Sequence, residues 1–292
     1  MCATCGCGGD SAAVITVLHD QPHEHEHHHE HEHHHEHDDH GHDHHHGPDD
    51  PHGHDHGDHV HVPVTETVTL EQKVLAKNDR LAQHNRERLR RSGIVALNIT
   101  SSPGAGKTTL LERTLGDLGS DRPVAVIEGD QETLLDAERI RATGCRVVQI
   151  NTGSGCHLDA EMLRHALDEL DPEPGTLLFI ENVGNLVCPA LFDLGELAKV
   201  VVFSVTEGTD KPLKYPHMFA AAELVIINKM DLLPFVDFDL ERCAEYAHSI
   251  NPGVPIMPVS AITGEGLPRW YGWISGHMSP PSASLEEATT PA

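Results

Sequence analysis

The sequence predicts an α/β fold, a mostly parallel sheet flanked by helices, preceded by a disordered histidine-rich N-terminal segment. Three observations carry that expectation. Short runs rich in Val, Ile and Leu alternate with stretches of helical periodicity from about residue 94 to residue 274, as strands joined by crossover helices do. One of these runs, Ile94 to Thr100, enters a turn of small residues and passes directly into a helix opened by Lys107-Thr108-Thr109. The composition also breaks sharply: 20 of the 27 histidines fall between residues 23 and 61, and no Lys or Arg precedes Lys73. The chain therefore divides into a cysteine-bearing segment (1–22), a histidine-rich tract (23–64), one sizeable α/β domain (65–276) and a disordered tail (277–292).

Charge and composition narrow the function. The formal net charge is −26 over 292 residues, and fourteen of the 46 acids lie within residues 1–64. Such a surface repels a phosphate backbone, so no nucleic-acid partner is expected. The apolar run Ala12 to Leu18 is too short to span a membrane, and the start lacks the basic residues of a secretory signal. Neither membrane attachment nor export is expected, which leaves the cytoplasm. Seven cysteines, an odd number, fit metal binding in a reducing compartment better than a disulfide framework.

From the start of the chain, Cys2, Cys5 and Cys7 among glycines can converge on one soft or borderline ion. A redox pair is the competing reading, but a thioredoxin-type pair sits between a strand and a helix, and none is expected here. The tract His23 to His61 has no hydrophobic period. Its imidazoles suit Ni²⁺, Zn²⁺ and Cu²⁺, and its carboxylates draw cations in. From Thr67 to Arg91, Leu70, Val74, Leu81 and Leu89 outline an amphipathic packing helix, with Thr69 and Gln72 resembling a capping box.

The turn after the first core strand reads Ser101-Ser102-Pro103-Gly104-Ala105-Gly106-Lys107-Thr108-Thr109. This is a phosphate-binding loop of the P-loop NTPase kind. Gly104, Ala105 and Gly106 let backbone N–H groups close around an anion, Lys107 reaches the β/γ-phosphates, Thr108 holds Mg²⁺, and Thr109 continues the cradle. The full pattern has Gly at position 101, and Ser101 departs from it. The strand Val124 to Ile127 ends in Glu128 and Asp130, where ligands of open α/β sheets bind. Either can hold Mg²⁺ or orient the attacking water, while the alternative for Asp130 is capping the helix expected from Thr133 to Arg141. Cys145 to Gln149 reads as a strand and Asp159 to Leu170 as a helix, with adjacent Cys156 and His157 on the glycine loop between them. The run Leu177 to Ile180 ends in Glu181 in the manner of a Walker B strand, and Cys188 follows seven residues later. If the two loops meet at one sheet edge, Cys156, His157 and Cys188 form a site for Ni²⁺ or Zn²⁺ that a nucleotide can alter. Val200 to Val205 is another strand, followed by a turn-rich loop from Thr206 to Pro216. Leu224 to Ile227 emerges into Asn228-Lys229-Met230-Asp231. There Asp231 can accept from guanine N1–H and the 2-amino group, Asn228 can hold the base edge and Lys229 can lie along the ring. A last strand, Ile256 to Val259, brings the N–H groups of Ser260 and Ala261 to guanine O6, and a helix over Trp270 to Ile274 closes the domain.

Over essentially all of residues 65–276 the chain resembles the hydrogenase nickel-incorporation GTPases, the HypB-type accessory proteins. The resemblance rests on residues 101–109, Ile127 to Thr133, Asn151 to Asp159, Glu181 to Pro189, Thr206 to Ala220 and Asn228 to Asp231. It implies a SIMIBI-class P-loop GTPase that dimerises with GTP and hydrolyses it slowly. The implied partners are a small nickel-binding accessory protein and the large subunit of [NiFe]-hydrogenase. It further implies that Cys2, Cys5 and Cys7 are an N-terminal nickel site and that Cys156, His157 and Cys188 are the metal site of the GTPase domain. The expected function is Mg²⁺-dependent conversion of GTP to GDP coupled to Ni²⁺ delivery, with Lys107, Asp130 and Glu181 catalytic. The alternative is a nickel or zinc store with a regulatory GTPase domain.

Overall fold

The computed structural model describes residues 13–18, 64–118, 122–131 and 133–278, the side chains of 64–71 excepted. In chain order the elements are β1 (Val14–Leu18), α1 (Val64–Arg91), β2 (Val95–Ser101), α2 (Lys107–Leu118), β3 (Val124–Asp130), α3 (Leu135–Arg141), β4 (Arg146–Asn151) and α4 (Ala160–Leu170). They continue as β5 (Leu177–Gly184), β6 (Ala198–Ser204), α5 (Lys211–Lys214), α6 (Pro216–Ala220), β7 (Leu224–Asn228), α7 (Leu240–Ile250), β8 (Ile256–Pro258) and α8 (Leu267–Met278). The eight strands form one sheet in the order β1-β4-β3-β5-β2-β6-β7-β8. All neighbours are parallel except β1, which runs antiparallel to β4. The expected α/β class with a mostly parallel sheet is the one observed, and the histidine-rich segment lies outside the described residues.

Alternation along the strands sorts side chains onto two helical layers. Leu97 and Ile99 of β2 and Phe179 of β5 face α2 and α8, where Leu110, Leu111 and Trp270 are buried. Ala96, Leu178 and Ile180 face the other way, onto Leu163, Ala166 and Leu167 of α4 and Leu89 of α1. Trp270 can be wholly enclosed because its indole N–H donates to Thr114 Oγ1 at 2.9 Å. α4 starts where Asp159 accepts from Met162 N and stops where Asp171 turns left-handed at φ 41°.

Several expectations change. The run read only as too short for a membrane is an edge strand, with Val14 opposite Asn151 and Leu18 opposite Val147. α1 begins at Val64, so Thr69 lies inside the helix and is not its N-cap. Its buried stripe is also different: Leu89 is buried, but Val74 is 48% exposed, and among the described side chains the enclosed positions are Asn78, Ala82, Asn85 and Leu89. That spacing of four, three and four is a single helical face, half of it polar, which is why a search for apolar residues misplaced it. α3 starts at Leu135 rather than Thr133, α8 is longer at both ends, and the loop expected from Thr206 contains α5. No helix among the described residues is long and apolar enough to cross a membrane.

Candidate functional site

At the carboxyl ends of β2, β3 and β5 a cavity of about 510 Å³ is lined by residues 101–109, Glu128 to Gln131, Val183, Gly184 and Lys229. Its floor is the loop from β2 to α2. Positive φ occurs at Gly104 (72°) and Gly106 (87°) but not at Ser101, which ends β2 with its hydroxyl donating to Ser102 O. The loop makes its left-handed turns where the glycines stand, so serine at 101 carries no strain.

Lys107 Nζ and Thr108 Oγ1 both donate to Glu181 Oε1, at 2.5 and 2.6 Å. Glu181 is fully buried, and its Oε2 has no hydrogen-bond partner. Glu128 is its register neighbour across β3 and β5. Burial first, and the nearby Glu181 carboxylate second, push the Glu128 carboxyl up to about 8. Asp130 is turned differently. Its Oδ2 accepts from Thr133 N and Thr133 Oγ1, at 3.0 and 2.9 Å, bracing the turn that leads into α3. These bonds do not cap α3, whose N-cap position is Leu134 with no side-chain bond, and Asp130 keeps its place in the cavity wall.

The second loop system lies beside the first. Asn228 Nδ2 donates to Ala105 O at 2.9 Å and its Oδ1 accepts from Ala261 N at 3.2 Å, tying the β7 and β8 loops to the phosphate loop. Lys229, held left-handed at φ 61°, donates from Nζ to Gly104 O at 2.6 Å. Asp231 Oδ1 accepts from Ser260 Oγ at 2.5 Å. The N–H groups expected at guanine O6 are engaged within the protein, Ser260 N with Glu265 O and Ala261 N with Asn228. The side chains of Asn228 and Ser260 hold these loops together.

Cys156, His157 and Cys188 come together at the same sheet edge, with one ligand atom of each within 4.8 Å of the others. Cys156 Sγ lies 3.0 Å from Cys188 Sγ and 3.7 Å from His157 Nδ1. Two thiols and one imidazole form a three-donor set for a borderline divalent ion. Burial lowers the His157 pKa, which favours the neutral, ligating imidazole. Its ring packs against Phe192, centroids 3.9 Å apart. Cys2, Cys5, Cys7 and the histidine tract lie outside the described residues.

Two asparagines just beyond Glu181 join the two sites, and sequence reasoning gave them no role. Asn182 Oδ1 accepts from Leu158 N at 3.1 Å, next to His157, and Asn185 Nδ2 donates to Cys156 O at 3.1 Å. Asn182 is fully buried. Polar residues on an apolar strand end were the available signal, since a buried amide requires partners.

The profile of the CobW/HypB/UreG nucleotide-binding domain matches residues 95–258. The hydrogenase maturation factor HypB of Azotobacter vinelandii is 61% identical over 205 residues, covering 70% of this chain and 68% of that one. The crystal structure of the Archaeoglobus fulgidus HypB superposes with a TM-score of 0.65 at 44% identity, covering 70% of this chain and all of that one. A Helicobacter pylori HypB solved in complex with nickel gives the same TM-score at 40% identity, covering 69% of this chain and 95% of that one. Profile, sequence and fold agree that the chain belongs to the HypB hydrogenase maturation factors of the CobW/HypB/UreG nucleotide-binding family.

Proposed function

We propose that the chain hydrolyses GTP and uses the nucleotide state to control delivery of Ni²⁺ to the large subunit of [NiFe]-hydrogenase. The observation that carries this reading is the continuity from Glu181, bonded to Lys107 and Thr108, through Asn182 and Asn185 to the backbone of the Cys156–Leu158 loop. A change at the phosphates that moves the end of β5 has a short, buried route to the metal ligands.

In this reading Gly104, Ala105, Gly106 and Thr109 cradle the phosphates and Lys107 neutralises them. Asn228 and Asp231 select guanine, with Lys229 against the base. The orphaned Glu181 oxygen beside the Thr108 hydroxyl fits a hard cation, so these two hold Mg²⁺, which supplies charge neutralisation on the β/γ-phosphates when bound. Glu128 and Asp130 line the cavity and are the carboxylates available to orient water. Nickel is cargo at Cys156, His157 and Cys188, as the nickel complex of the H. pylori relative supports. Exposed Val187 and Leu191 flank Cys188 and suit burial by a second copy on GTP binding. The N-terminal cysteines and histidine tract then serve as nickel reservoirs.

The test is a reconstituted maturation assay with purified large-subunit precursor, the accessory protein, Ni²⁺ and GTP. Nickel insertion should fall to background with Lys107→Ala and with a non-hydrolysable GTP analogue. Insertion at the wild-type rate in both would remove hydrolysis from the delivery step. Deleting residues 23–61 should lower insertion only when nickel is limiting; a defect at both nickel levels assigns the tract to delivery.

A further inference from the structure

The reach of α1 extends past its hydrophobic contacts. Asn78 and Asn85 stand seven residues apart on one face of the helix, 4% and 1% exposed. Each bonds the first residue of α4, where the Cys156–His157 loop ends, and the loop that carries Cys188. Asn78 Oδ1 accepts from Ala160 N at 2.9 Å while its Nδ2 donates to Asp193 O at 2.8 Å. Asn85 Nδ2 donates to Ala160 O at 2.8 Å and to Leu194 O at 3.0 Å. Ala160 follows His157 by three residues, and Asp193 and Leu194 follow Cys188 by five and six.

Two further features seat the Cys188 loop on the same helix. Gly195, at φ 92°, approaches so closely that a Cβ there would lie 2.4 Å from Ala82 O and 2.8 Å from Arg86 N. Arg86 Nη2 also donates to both carboxylate oxygens of Asp193, each at 2.7 Å. The loops come from β4 and β5, which are not sheet neighbours because β3 lies between them. The sheet's own hydrogen bonds therefore do not set the loop-to-loop spacing directly.

We propose that α1 is a splint for the thiol–imidazole site, with Asn78 and Asn85 as positioning residues that fix how far Cys156 and His157 lie from Cys188. Neither residue touches the ligand atoms. They act through the backbone at the start of α4 and of the Cys188 loop, and a site assembled from separate segments loses affinity when its supports loosen. The inference rests on reading Cys156, His157 and Cys188 as a metal site.

The experiment uses the full chain carrying Cys2, Cys5 and Cys7 replaced by Ser, with Ni²⁺ as the probe. Thiolate-to-nickel charge-transfer absorption, read in competition with a chelator, then reports Cys156 and Cys188, because histidine ligands do not give that band. Asn78→Ala and Asn85→Ala should each weaken Ni²⁺ by roughly 10- to 100-fold and alter the band, with affinity for a fluorescent GDP analogue unchanged. Arg86→Gln, at a half-exposed side chain, should weaken nickel in the same direction by a smaller factor. Arg88→Ala, which removes the pair with Asp168 at the far end of α4, should leave nickel binding as in the parent. Parent-like nickel affinity in both asparagine variants would overturn the splint. So would parallel loss of nickel, GDP analogue and thermal stability, which marks a general structural role. If Cys156→Ala keeps the band, the metal-site reading itself fails.

Discussion

The phosphate loop takes its shape from one continuous run, Ser102 to Gly106 between β2 and α2, with Lys107 to Thr109 opening α2. The thiol–imidazole cluster takes its donors from loops 32 residues apart and its supports from a helix that precedes both. A loop drawn from one run, braced from outside by the neighbouring side chains of Asn228 and Lys229, tolerates change in most of the molecule. A cluster assembled from distant segments depends on every contact that sets their spacing. Damage to the first should be local and chemical, whereas damage to the second should spread from positions remote from the ligands.

The largest effect is expected on the local side. Lys107→Ala removes the only cation paired with Glu181 among the described ion pairs and should lower GTP turnover by about 10²–10³-fold or more, measured by phosphate release. Nickel binding at Cys156 should survive, and turnover at the wild-type rate would remove Lys107 from the phosphate site. Asp231→Ala should weaken GTP by roughly 10- to 100-fold, since two hydrogen bonds to a charged acceptor are lost, and should reduce discrimination against ATP in a competition assay.

On the assembled side, Gly195→Ala forces a Cβ against the α1 backbone at a positive φ and should destabilise the chain by about 2–4 kcal/mol in urea unfolding. A change below about 0.5 kcal/mol would mean the loop moves off α1 without penalty. Glu128→Gln should act through pH. The Glu128 carboxyl titrates near 8 in the folded chain against 4.5 as the ordinary value. Between those values the folded chain holds a proton that the unfolded chain has released, so its stability falls as pH rises through that window. The glutamine variant should match wild type near pH 4 and be the more stable of the two at pH 8, the gap opening across that window.

The same contrast explains what was legible in the sequence. The loop at 101–109, the run Leu177 to Glu181 and the Asn228–Asp231 turn are each contiguous, and residue type with spacing sufficed to place them at one sheet edge, although β5 runs on past Glu181 to Gly184. The meeting of Cys156 with Cys188 was legible only as a condition on two loops being neighbours. Asn78 and Asn85 were not legible, because a buried polar face has no hydrophobic signature and the partners of an amide are visible only in three dimensions. β1 escaped for a related reason: a run of five residues, four of them apolar, defines a strand only once the edge of β4 is there to receive it.

The central claim is that the nucleotide state sets the affinity of the Cys156, His157 and Cys188 site. Its most direct measurement is Ni²⁺ titration of the chain lacking Cys2, Cys5 and Cys7 thiols, saturated with GDP or with a non-hydrolysable GTP analogue, alongside Cys156→Ala. The account predicts nickel dissociation constants that differ by about 5-fold or more between the two nucleotide states, with the difference abolished by Asn182→Ala. Equal affinities in both states, with the Cys156-dependent band intact, would contradict it.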